Sequence, residues 1–593
     1  MRRYGKSLAA MALIVFLAGC GTEAGKEADG KAAPAGGDTS YFFGARIIPG
    51  DGSPAMEDMS FIVSGGKFVT IGKRSEVTPP KGSARIELTG RTVTPVFINL
   101  QAQPGMNNGA QYGSKNYMRD SVTADLSRYA YYGVMAVLTA GTDAGDLAFS
   151  VRDEVREGKI KAARLLTVGR GIAAKGGGPS ALADSTIQVA NATDAKRAVL
   201  DLSSQKVDAI KLWIDDGTGK GAKLKPEAYT TIIDEAHKRN LKVVAEVFNL
   251  ADAKDLAKAG IDGFVSSIRD HEVDDELISA MKSKNVFLAP ALTAAEAKFV
   301  YADKPKWLGE QTMREVYPAQ LAGYLADQVS INRFIRNPEL ADLRQQYATA
   351  VKNLKRLSLG GVKIALGTNS GAADTYPGYF ELREMIAMGD AGLQPMEIIK
   401  AATSVPAEIV GLNDLGTIAV GKTADFLAMP SNPLEKISDI KDVGSLYLGG
   451  AEQERTALVQ DIKINTQNLR ITEKDRKEDA EKQAQALREE AEKKLPHYGK
   501  FPLNNPSASV RYMSVPIPKG AKFETKAGPP DRITVSMRAT AADLREFYAK
   551  ALPTYKWASA GNCWSREHPT SKKSETLCVD ASNNSAVIQI QEK

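Results

Sequence analysis

Histidine is scarce in this chain, and its scarcity limits the chemistry that the protein can perform. Only four of the 593 residues are His, and they lie far apart at His237, His271, His497 and His568. His237 stands among charged residues of an expected helix, where an imidazole is normally at the surface. His271 falls in an expected loop, and one histidine does not build a three-imidazole zinc site. We therefore expect no metal centre and no cofactor.

A strong charge of one sign is also missing. The net charge of +6 is small for this length, and no concentrated basic stripe is present, so nucleic acid is not an expected partner. Apolar residues make up 43% of the chain and charged residues 25%, which is ordinary for a globular protein with a normal core. The length predicts about two to four domains.

The N-terminus carries an apolar run, Leu8–Leu17, between a basic start and the sequence Leu-Ala-Gly-Cys that ends at Cys20. This arrangement is typical of a secretory signal peptide, here residues 1–19. Its ending resembles the bacterial lipobox, which implies diacylation of Cys20, and Gly21 in place of an aspartate favours the outer membrane. A transmembrane anchor is the alternative, but the run is too short to span a bilayer. Residues 20–40 are expected to form a flexible tether.

Cysteine is as rare as histidine, since only Cys563 and Cys578 remain after Cys20. Disulfides persist outside the cytoplasm, so we expect these two residues to pair. Closing their short loop is worth about 3 kcal/mol of stability. The alternative is two free thiols.

The body of the chain alternates between two patterns. Short β runs with Gly and Pro turns in residues 41–93 predict an antiparallel module, which residues 413–466 are expected to complete as a composite β-sandwich. Strands and helices alternate about eight times in residues 94–412, which predicts a (β/α)8 barrel of the TIM type. An open doubly wound sheet is the alternative, although no phosphate-binding glycine fingerprint is present. The expected strands after the first are 134–139, 163–168, 208–214, 242–247, 263–266, 286–289 and 363–368.

Two further segments follow the expected barrel. Residues 467–496 are mostly Glu, Lys, Arg, Gln, Asp and Ala, which predicts a solvated helical linker. Residues 497–593 are expected to form a small α+β domain. Its expected elements are strands at 532–537 and 586–590 and a helix at 541–552 that Thr540 caps.

Three amides occupy alternate positions at the end of the first expected barrel strand, namely Asn99, Gln101 and Gln103. Alternate residues of a strand share one face, so all three are expected to point into a site at the barrel mouth. Amides are weak zinc ligands compared with imidazole or carboxylate. The site therefore suits a hydrogen-bonded ligand better than a metal.

Four motifs between residues 92 and 426 carry a family resemblance. They are Thr-Val-Thr-Pro-Val-Phe-Ile-Asn at 92–99, Gly-Thr-Asn-Ser-Gly at 367–371, Gly-Leu-Gln-Pro-Met-Glu-Ile-Ile-Lys-Ala-Ala-Thr at 392–403, and Gly-Thr-Ile with Gly-Lys-Thr-Ala-Asp-Phe at 416–418 and 421–426. Together they resemble the amidohydrolase superfamily, in its imidazolonepropionase- and prolidase-like branch, over about residues 41–465. The resemblance implies a barrel that carries a hydrolytic metal centre.

The chain lacks most of the metal ligands that this resemblance implies. The family pattern has His-x-His on strand one, Lys on strand four, His on strands five and six, and on strand eight an Asp that takes the proton of metal-bound water. Only the lysine is kept here. The corresponding residues are Gln101, Gln103, Lys211, Glu246, Ser266 and Asn369, with Asn99 at the preceding acidic position.

Lys211 and Glu246 fall on consecutive expected strands and should both point inward. A lone lysine inside a barrel is costly, so we expect Glu246 to pair with it. The alternative is that Glu246 serves as a general base. Asn369 does not, because an amide does not accept a proton near neutral pH.

These patterns predict an envelope lipoprotein whose amidohydrolase-like domain has lost its metal centre and binds a ligand or acts as a scaffold without catalysis. The expected partners are the membrane, through the lipid on Cys20, a small molecule in the barrel, and a protein at the C-terminal domain. The alternative is a hydrolase that acts on carbon–nitrogen bonds, such as those of dipeptides, through a rebuilt site. A serine nucleophile is not expected, because a Gly-x-Ser-x-Gly motif is absent.

Overall fold

The computed structural model describes most of the chain from residue 39 onward. The predicted signal peptide (1–19), Cys20 and nearly all of the predicted tether lie outside the described residues, as does His568. The residues that are not described are 1–38, 110, 180–181, 183–184, 215–217, 219–220, 461, 463, 465, 494–496, 499–500, 503–515, 525–531, 568–571, 573, 583–584 and 593.

The chain divides into two compact units. The first comprises the residues up to 298 with 309–318 and 341–465, and the second comprises 299–308, 319–340 and 466–593. Two segments from within the predicted barrel range thus group with the C-terminal residues. None of the described helices has the length and apolarity needed to cross a bilayer.

Five strands open the first unit. They are β1 (Thr39–Ile47), β2 (Met56–Ser64), β3 (Lys67–Lys73), β4 (Ala84–Glu87) and β5 (Thr92–Pro95). The antiparallel expectation was only partly correct, because β1 pairs antiparallel with β2, and β2 with β3, whereas β1 runs parallel to β4 and β5. Turn residues mark where strands end but do not determine which strands pair.

Nine short strands follow, and all of their pairings are parallel. They are β6 (Phe97–Ala102), β7 (Val134–Thr139), β8 (Arg164–Leu166), β9 (Gly171–Ala174), β10 (Thr186–Val189), β11 (Ile210–Trp213), β12 (Val243–Glu246), β13 (Gly263–Phe264) and β14 (Phe287–Leu288). One sheet contains β6, β7 and β8, and the other has the order β10-β9-β11-β12-β13-β14. Six of the seven strands expected after the first are therefore present, namely β7, β8 and β11 to β14. All of these except β7 are shorter than predicted, and β9 and β10 were not predicted.

The last expected strand, residues 363–368, is extended chain rather than a regular strand. It lies between β14 and β6, since the amide N of Ala365 donates to the carbonyl of Leu288 at 2.8 Å and that of Leu100 donates to Leu366 at 2.9 Å. Two isolated parallel bridges, one to β14 and one to β6, accompany these bonds. The short apolar run thus predicted the correct position of an extended segment, but residues 363–368 do not form a regular β ladder.

Helices separate most of the strands. Those up to residue 409 are α1 (Arg119–Tyr131), α2 (Leu147–Arg156), α3 (Ala192–Ser204), α4 (Pro226–His237), α5 (Leu250–Ala259), α6 (Asp275–Ser283), α7 (Leu292–Glu296), α8 (Gln311–Arg314), α9 (Ala319–Ala326), α10 (Gln328–Ile335), α11 (Leu340–Leu359), α12 (Tyr379–Asp390), α13 (Pro395–Ala402) and α14 (Ser404–Ile409). The series α7 to α11 interrupts the strand–helix rhythm and was not predicted.

The chain then returns to the first sheet, as predicted, through three strands. They are β15 (Phe426–Met429), β16 (Ser445–Leu448) and β17 (Ala451–Gln453). The sheet has the order β17-β16-β15-β5-β1-β2-β3, with β4 on β1. Phe426 stacks on Tyr447 at 4.6 Å between ring centroids and meets Phe42 edge-on at 5.3 Å. Aromatic packing of this kind joins the early and late strands in one core.

The C-terminal residues of the second unit form a two-stranded and a six-stranded antiparallel sheet and one packed helix. Its elements are β18 (His497–Tyr498), β19 (Phe501–Pro502), β20 (Lys522–Glu524), β21 (Arg532–Met537), α16 (Ala541–Ala551), β22 (Ala558–Ala560), β23 (Cys563–Glu567), β24 (Ser574–Ser582) and β25 (Ser585–Glu592), after α15 (Glu473–Lys493). The predicted cap of α16 is present, because the Thr540 side chain accepts from the amide N of Asp543 at 3.1 Å. The predicted disulfide joins Cys563 on β23 to Cys578 on β24.

Helix α15 is more than a solvated linker. Its Asp479 accepts a hydrogen bond from Nδ2 of Asn332 at 2.9 Å and forms an ion pair with Arg336 at 2.6 Å. Both partners lie on or next to α10, which belongs to the same unit. The helix composition revealed the exposed face but not these long-range partners.

Candidate functional site

A cavity of about 260 Å³ lies at the carboxyl ends of the parallel strands of the first unit. Ligand sites of parallel α/β folds occur at this end of the strands. Five of the seven side chains predicted for the pocket line it, namely Gln101, Gln103, Glu246, Ser266 and Asn369. Lys211 and Asn99 do not line it, because Lys211 is buried against Glu246 and Asn99 bonds to Glu381.

Lys211 forms the ion pair that the sequence predicted. Its Nζ lies 3.5 Å from Oε2 of Glu246 and donates to the carbonyl of Ala140 at 3.3 Å. The ammonium also stands 4.0 Å from the centre of the Trp213 ring, a favourable contact for a cation. Lys211 is only 1% exposed, and this burial lowers its pKa while the charge of Glu246 opposes the shift. A buried pair of this kind costs stability when one partner is removed.

Gln101 has hydrogen-bond partners for only part of its amide group. Its Nε2 donates to Oε2 of Glu246 at 3.2 Å. Its Oε1 is buried and has no hydrogen-bond partner among the described residues. Native proteins leave few buried acceptors unpaired, so each one needs a physical explanation.

Tyr112, Gln103 and Asn369 form a chain of hydrogen bonds at the side of the cavity. Nε2 of Gln103 donates to Oδ1 of Asn369 at 2.7 Å, and the hydroxyl of Tyr112 donates to Oε1 of Gln103 at 2.6 Å. Asn369 adopts a positive φ of 55°, which asparagine tolerates better than most residues. Burial raises the pKa of Tyr112, and the nearby Glu246 carboxylate adds to the increase. Tyr112 was missed in the sequence, because nothing in its own segment marks it as a site residue.

Ser266 lines the cavity but uses its hydroxyl within the protein. It donates to the carbonyl of Val247 at 2.7 Å and accepts from the amide N of the same residue at 2.9 Å. The side chain thus ties β12 to β13 at their ends. Its role in the structure is to hold two strands together.

Asn99 corrects the expectation that three amides on one strand face would share one site. Its Nδ2 donates to Oε1 of Glu381 at 2.6 Å and to the hydroxyl of Thr368 at 2.9 Å, while its Oδ1 accepts from the amide N of Gln101. Only Gln101 and Gln103 line the cavity. Alternation along a strand predicts a shared face, but it does not predict the partner that each side chain meets.

Glu381 on α12 is a buried carboxyl group that the sequence did not reveal. Its Oε1 also accepts from the hydroxyls of Thr368 and Ser370, and its Oε2 accepts from the amide N of Gly378 at 2.7 Å. Burial raises the pKa of Glu381 to about 7, although these hydrogen bonds oppose the increase. Ser370 is bound to Glu381 and to Tyr129, so its hydroxyl is part of this network rather than a nucleophile beside a histidine.

A second carboxyl group of α12 holds one wall of the cavity. Glu384 accepts from the amide N of Leu292 at 2.7 Å and from both the amide N and the hydroxyl of Thr293, at 2.7 and 2.6 Å. These residues begin α7, and four small side chains of the segment line the cavity. Burial raises the pKa of Glu384 to about 7. The small lining residues of this wall are Ala291, Ala294, Ala295 and Ala297.

The side chains at the expected ligand positions do not fit a zinc ion. They offer two amides, an ammonium, one carboxylate, a hydroxyl already used by the backbone, and an amide that bonds to Gln103, whereas zinc prefers thiolate, imidazole and carboxylate. Among the described residues, no three His, Cys, Asp or Glu side chains are grouped so as to hold a metal ion. His237 bonds to Asp262 and His271 to Asp270, and neither lines the cavity.

Comparison with known proteins identifies the central part of the chain. The model of the amidohydrolase family matches residues 92–451, which is more than half of the sequence. The match includes the cavity and the return strands β15 and β16. None of the curated proteins compared with the chain matches it.

The solved structures that resemble this chain include several hydrolases. A Xaa-Pro dipeptidase with methionine bound in its active site is 21% identical, with a TM-score of 0.59 over 70% of this chain and 100% of its own. A protein from Bifidobacterium longum assigned as a prolidase is 22% identical, with a TM-score of 0.57 over 72% and 98%. Molinate hydrolase is 16% identical, with a TM-score of 0.58 over 72% and 97%. At these identities the likeness shows the fold alone.

Proposed function

The chain belongs to the amidohydrolase family, and from this premise we propose that its central domain is a (β/α)8 barrel that binds a small molecule without a metal centre and without catalysis. The observation that carries the proposal is the buried Lys211–Glu246 ion pair beneath a small polar cavity. The pair brings its own positive charge to the place where the family pattern has a metal ion. A second cation there would meet the ammonium of Lys211.

Hydrogen bonds between neighbouring segments support a closed barrel. The strands β6 to β8 and β11 to β14 are seven strands of the proposed barrel, and the extended segment 363–370 takes the place of the eighth. The amide N of Asp208, just before β11, donates to the carbonyl of Thr167, just after β8, at 2.7 Å. The segment 363–370 forms backbone hydrogen bonds with both β14 and β6, so the last segment of the barrel lies next to its first strand.

The polar side chains at the expected ligand positions support the loss of the metal and of its hydrolytic chemistry. Asn369 stands where the family pattern has the aspartate that accepts a proton, and an amide does not perform this step near neutral pH. Gln101 and Gln103 stand where that pattern has two histidines. The replacements are polar rather than apolar, so the cavity retains hydrogen-bonding groups that suit a ligand.

The test is the metal content of the purified protein together with a hydrolysis screen. We expect zinc well below one ion per chain after dialysis, measured by inductively coupled plasma mass spectrometry, and no turnover of dipeptides or cyclic amides with or without added zinc. A variant with the family ligands, Gln101→His, Gln103→His, Glu246→His, Ser266→His and Asn369→Asp, is expected to gain zinc. Stoichiometric zinc in the natural protein, or zinc-dependent turnover, would overturn the proposal.

A second candidate function is hydrolysis of carbon–nitrogen bonds by a rebuilt site. The specific observation in its favour is that the carboxylate of Glu246 lines the cavity, where it could serve as a general base. The similar solved structures include a dipeptidase and other hydrolases, which agrees with this alternative. Metal-independent turnover in the same screen, lost in Glu246→Gln, would favour it over the non-catalytic function.

We also propose that the protein is anchored in the cell envelope by a lipid on Cys20, with the outer membrane as its location. The Leu-Ala-Gly-Cys sequence supports this proposal. The disulfide between Cys563 and Cys578 agrees with an oxidising compartment. The domain at 497–593 is then available to a protein partner.

A further inference from the structure

The ligand of this cavity can be described more closely from the hydrogen bonds that the cavity leaves unmade. Oε1 of Gln101 is a buried acceptor without a partner among the described residues. The hydrogen bond and the ion pair of Glu246 both involve Oε2, which leaves its Oε1 without a partner among the described residues. Because Nε2 of Gln101 bonds to Glu246, the two side chains are neighbours, and their two unpaired oxygens belong to one corner of the cavity.

Three side chains near this corner already use their donors within the protein. Nε2 of Gln103 bonds to Asn369, the hydroxyl of Tyr112 bonds to Gln103, and that of Ser266 bonds to the backbone. The indole Nε1 of Trp213 has no partner among the described residues, but it lies against β9, since a side-chain carbon at Gly171 would stand only 2.3 Å from it. The protein therefore does not supply the N–H groups that the two oxygens need.

We infer that the ligand enters with a nitrogen head group that carries two or more N–H bonds, which it donates to Oε1 of Gln101 and to Glu246. The inference rests on the proposed ligand-binding function. A metal ion at this place would attract an oxygen of its ligand, whereas two acceptor oxygens repel a carboxylate or an isolated carbonyl. The site should therefore prefer a ligand that donates hydrogen bonds, whereas a metal ion would prefer a ligand that presents an oxygen.

The rest of the cavity limits the body of the ligand. The wall formed by α7 presents small apolar side chains, at Ala291, Ala294, Ala295 and Ala297, and Lys298 lines the cavity just after them. The volume of about 260 Å³ is below the roughly 300–1,000 Å³ of pockets that hold drug-sized molecules. A short aliphatic chain behind the nitrogen head group fits both limits. Lys211 already balances the charge of Glu246, so the head group does not have to be charged.

The experiment uses three probes that differ in their head group. Butyramide and butyrate have nearly the same shape, but the first presents an NH2 group where the second presents an oxygen, and butylamine presents a charged donor. Binding to the purified full-length protein is measured by isothermal titration calorimetry and by ligand-observed NMR. We expect butyramide and butylamine to bind and butyrate to bind at least tenfold more weakly, the equivalent of one hydrogen bond.

Two variants and one control place the binding at the proposed corner. Gln101→Leu removes the unpaired acceptor and is expected to weaken butyramide binding about tenfold. Glu246→Gln keeps an oxygen for Lys211 and turns an NH2 group into the cavity, which is expected to move the preference toward butyrate. Glu397→Gln alters an exposed residue that does not line the cavity, so the affinity should not change. Circular dichroism establishes that each variant is folded.

Each outcome decides the inference separately from the proposed function. Equal or tighter binding of butyrate by the natural protein, or an unchanged affinity in folded Gln101→Leu and Glu246→Gln, overturns the inference while leaving a metal-free binding site in place. Absence of binding by all three probes also overturns it. The proposed function fails on a different measurement, which is stoichiometric zinc in the purified protein.

Discussion

Among single residues, Lys211 and Glu246 are the pair on which the stability of the site depends most. Glu246→Ala leaves a buried ammonium whose remaining neighbours are the Trp213 ring and one carbonyl, so we expect the free energy of unfolding to fall by about 3 kcal/mol. Urea unfolding followed by tryptophan fluorescence measures this loss. The double variant Lys211→Met with Glu246→Leu should recover most of it, because apolar residues often replace a buried ion pair without cost. A single variant as stable as the natural protein would show that the pair is unimportant.

Glu381 predicts that stability decreases as the pH rises. Its pKa in the folded protein is about 7 against an ordinary value of 4.5, so the folded state holds the proton more tightly than the unfolded state. The free energy of unfolding should therefore be highest near pH 4.5, fall by on the order of 3 kcal/mol toward pH 7, and level off above it. Glu384, whose pKa is raised in the same direction, adds to this decrease.

The control for this pH dependence is Glu381→Gln, which cannot lose a proton. Urea unfolding of both proteins between pH 5 and pH 8 should give a shallower decrease for the variant. Identical slopes, or a stability that rises over this interval, would contradict the role assigned to Glu381. The comparison of slopes is valid even if the variant is less stable throughout.

The sequence revealed some of these residues because their signals are local. Lys211 lies within one apolar run and Glu246 near the end of the next, so their pairing followed from the expected order of strands. Asn99 was assigned to the wrong surroundings because its partner Glu381 is 282 positions away and lies on a helix whose sequence carries no sign of a site. Partners brought together only by tertiary folding leave no trace in a local pattern.

Among the elements, α7 is the wall of the cavity that depends most on an outside contact. Five residues are too few for a helix to be stable by itself, and Glu384 binds the amide N–H groups of Leu292 and Thr293 at its start. Glu384→Ala should therefore make these two amides exchange with deuterium roughly tenfold faster or more, as expected for the loss of a hydrogen bond of about 1.4 kcal/mol. Hydrogen exchange with mass spectrometry measures the peptide that contains them.

The matched control for α7 is Glu397→Ala. Glu397 on α13 also binds a backbone amide at a helix start, that of the N-cap residue Gln394, but it does not line the cavity. Its loss should speed exchange near α13 and leave the peptide with Leu292 unchanged. Equal protection of α7 in the natural protein and in Glu384→Ala would mean that its neighbours alone hold the helix.

The elements were predictable where one apolar run makes one strand, as at β7, whose bounds agree with the prediction. They were less predictable where pairing decides the outcome. β1 runs parallel to β4 and β5 because the chain crosses over between them, which turn residues do not reveal. Helix α15 has the composition of a solvated helix, yet Asp479 binds Asn332 and Arg336, which lie far from it in the sequence.

For the whole molecule, the decisive question is whether the two units reach the cell envelope on a lipid. The predicted signal peptide and Cys20 precede every described element, and two acyl chains on one cysteine are enough for stable anchoring, whereas a single chain is marginal. We therefore expect the protein expressed in a bacterial host to incorporate labelled palmitate and to begin at a diacylated Cys20 by mass spectrometry.

The test variant is Cys20→Ser, which removes the only thiol at the expected cleavage site. It should incorporate no palmitate, and its folded units should retain the ligand affinity of the natural protein, because the cavity lies in residues after 100. Cys563→Ser is the control, since it removes a cysteine without touching the lipid site and should keep the label while losing the disulfide. A natural protein that carries no lipid, or a Cys20→Ser variant that still carries one, would rule out anchoring at this residue and with it the proposed attachment to the outer membrane.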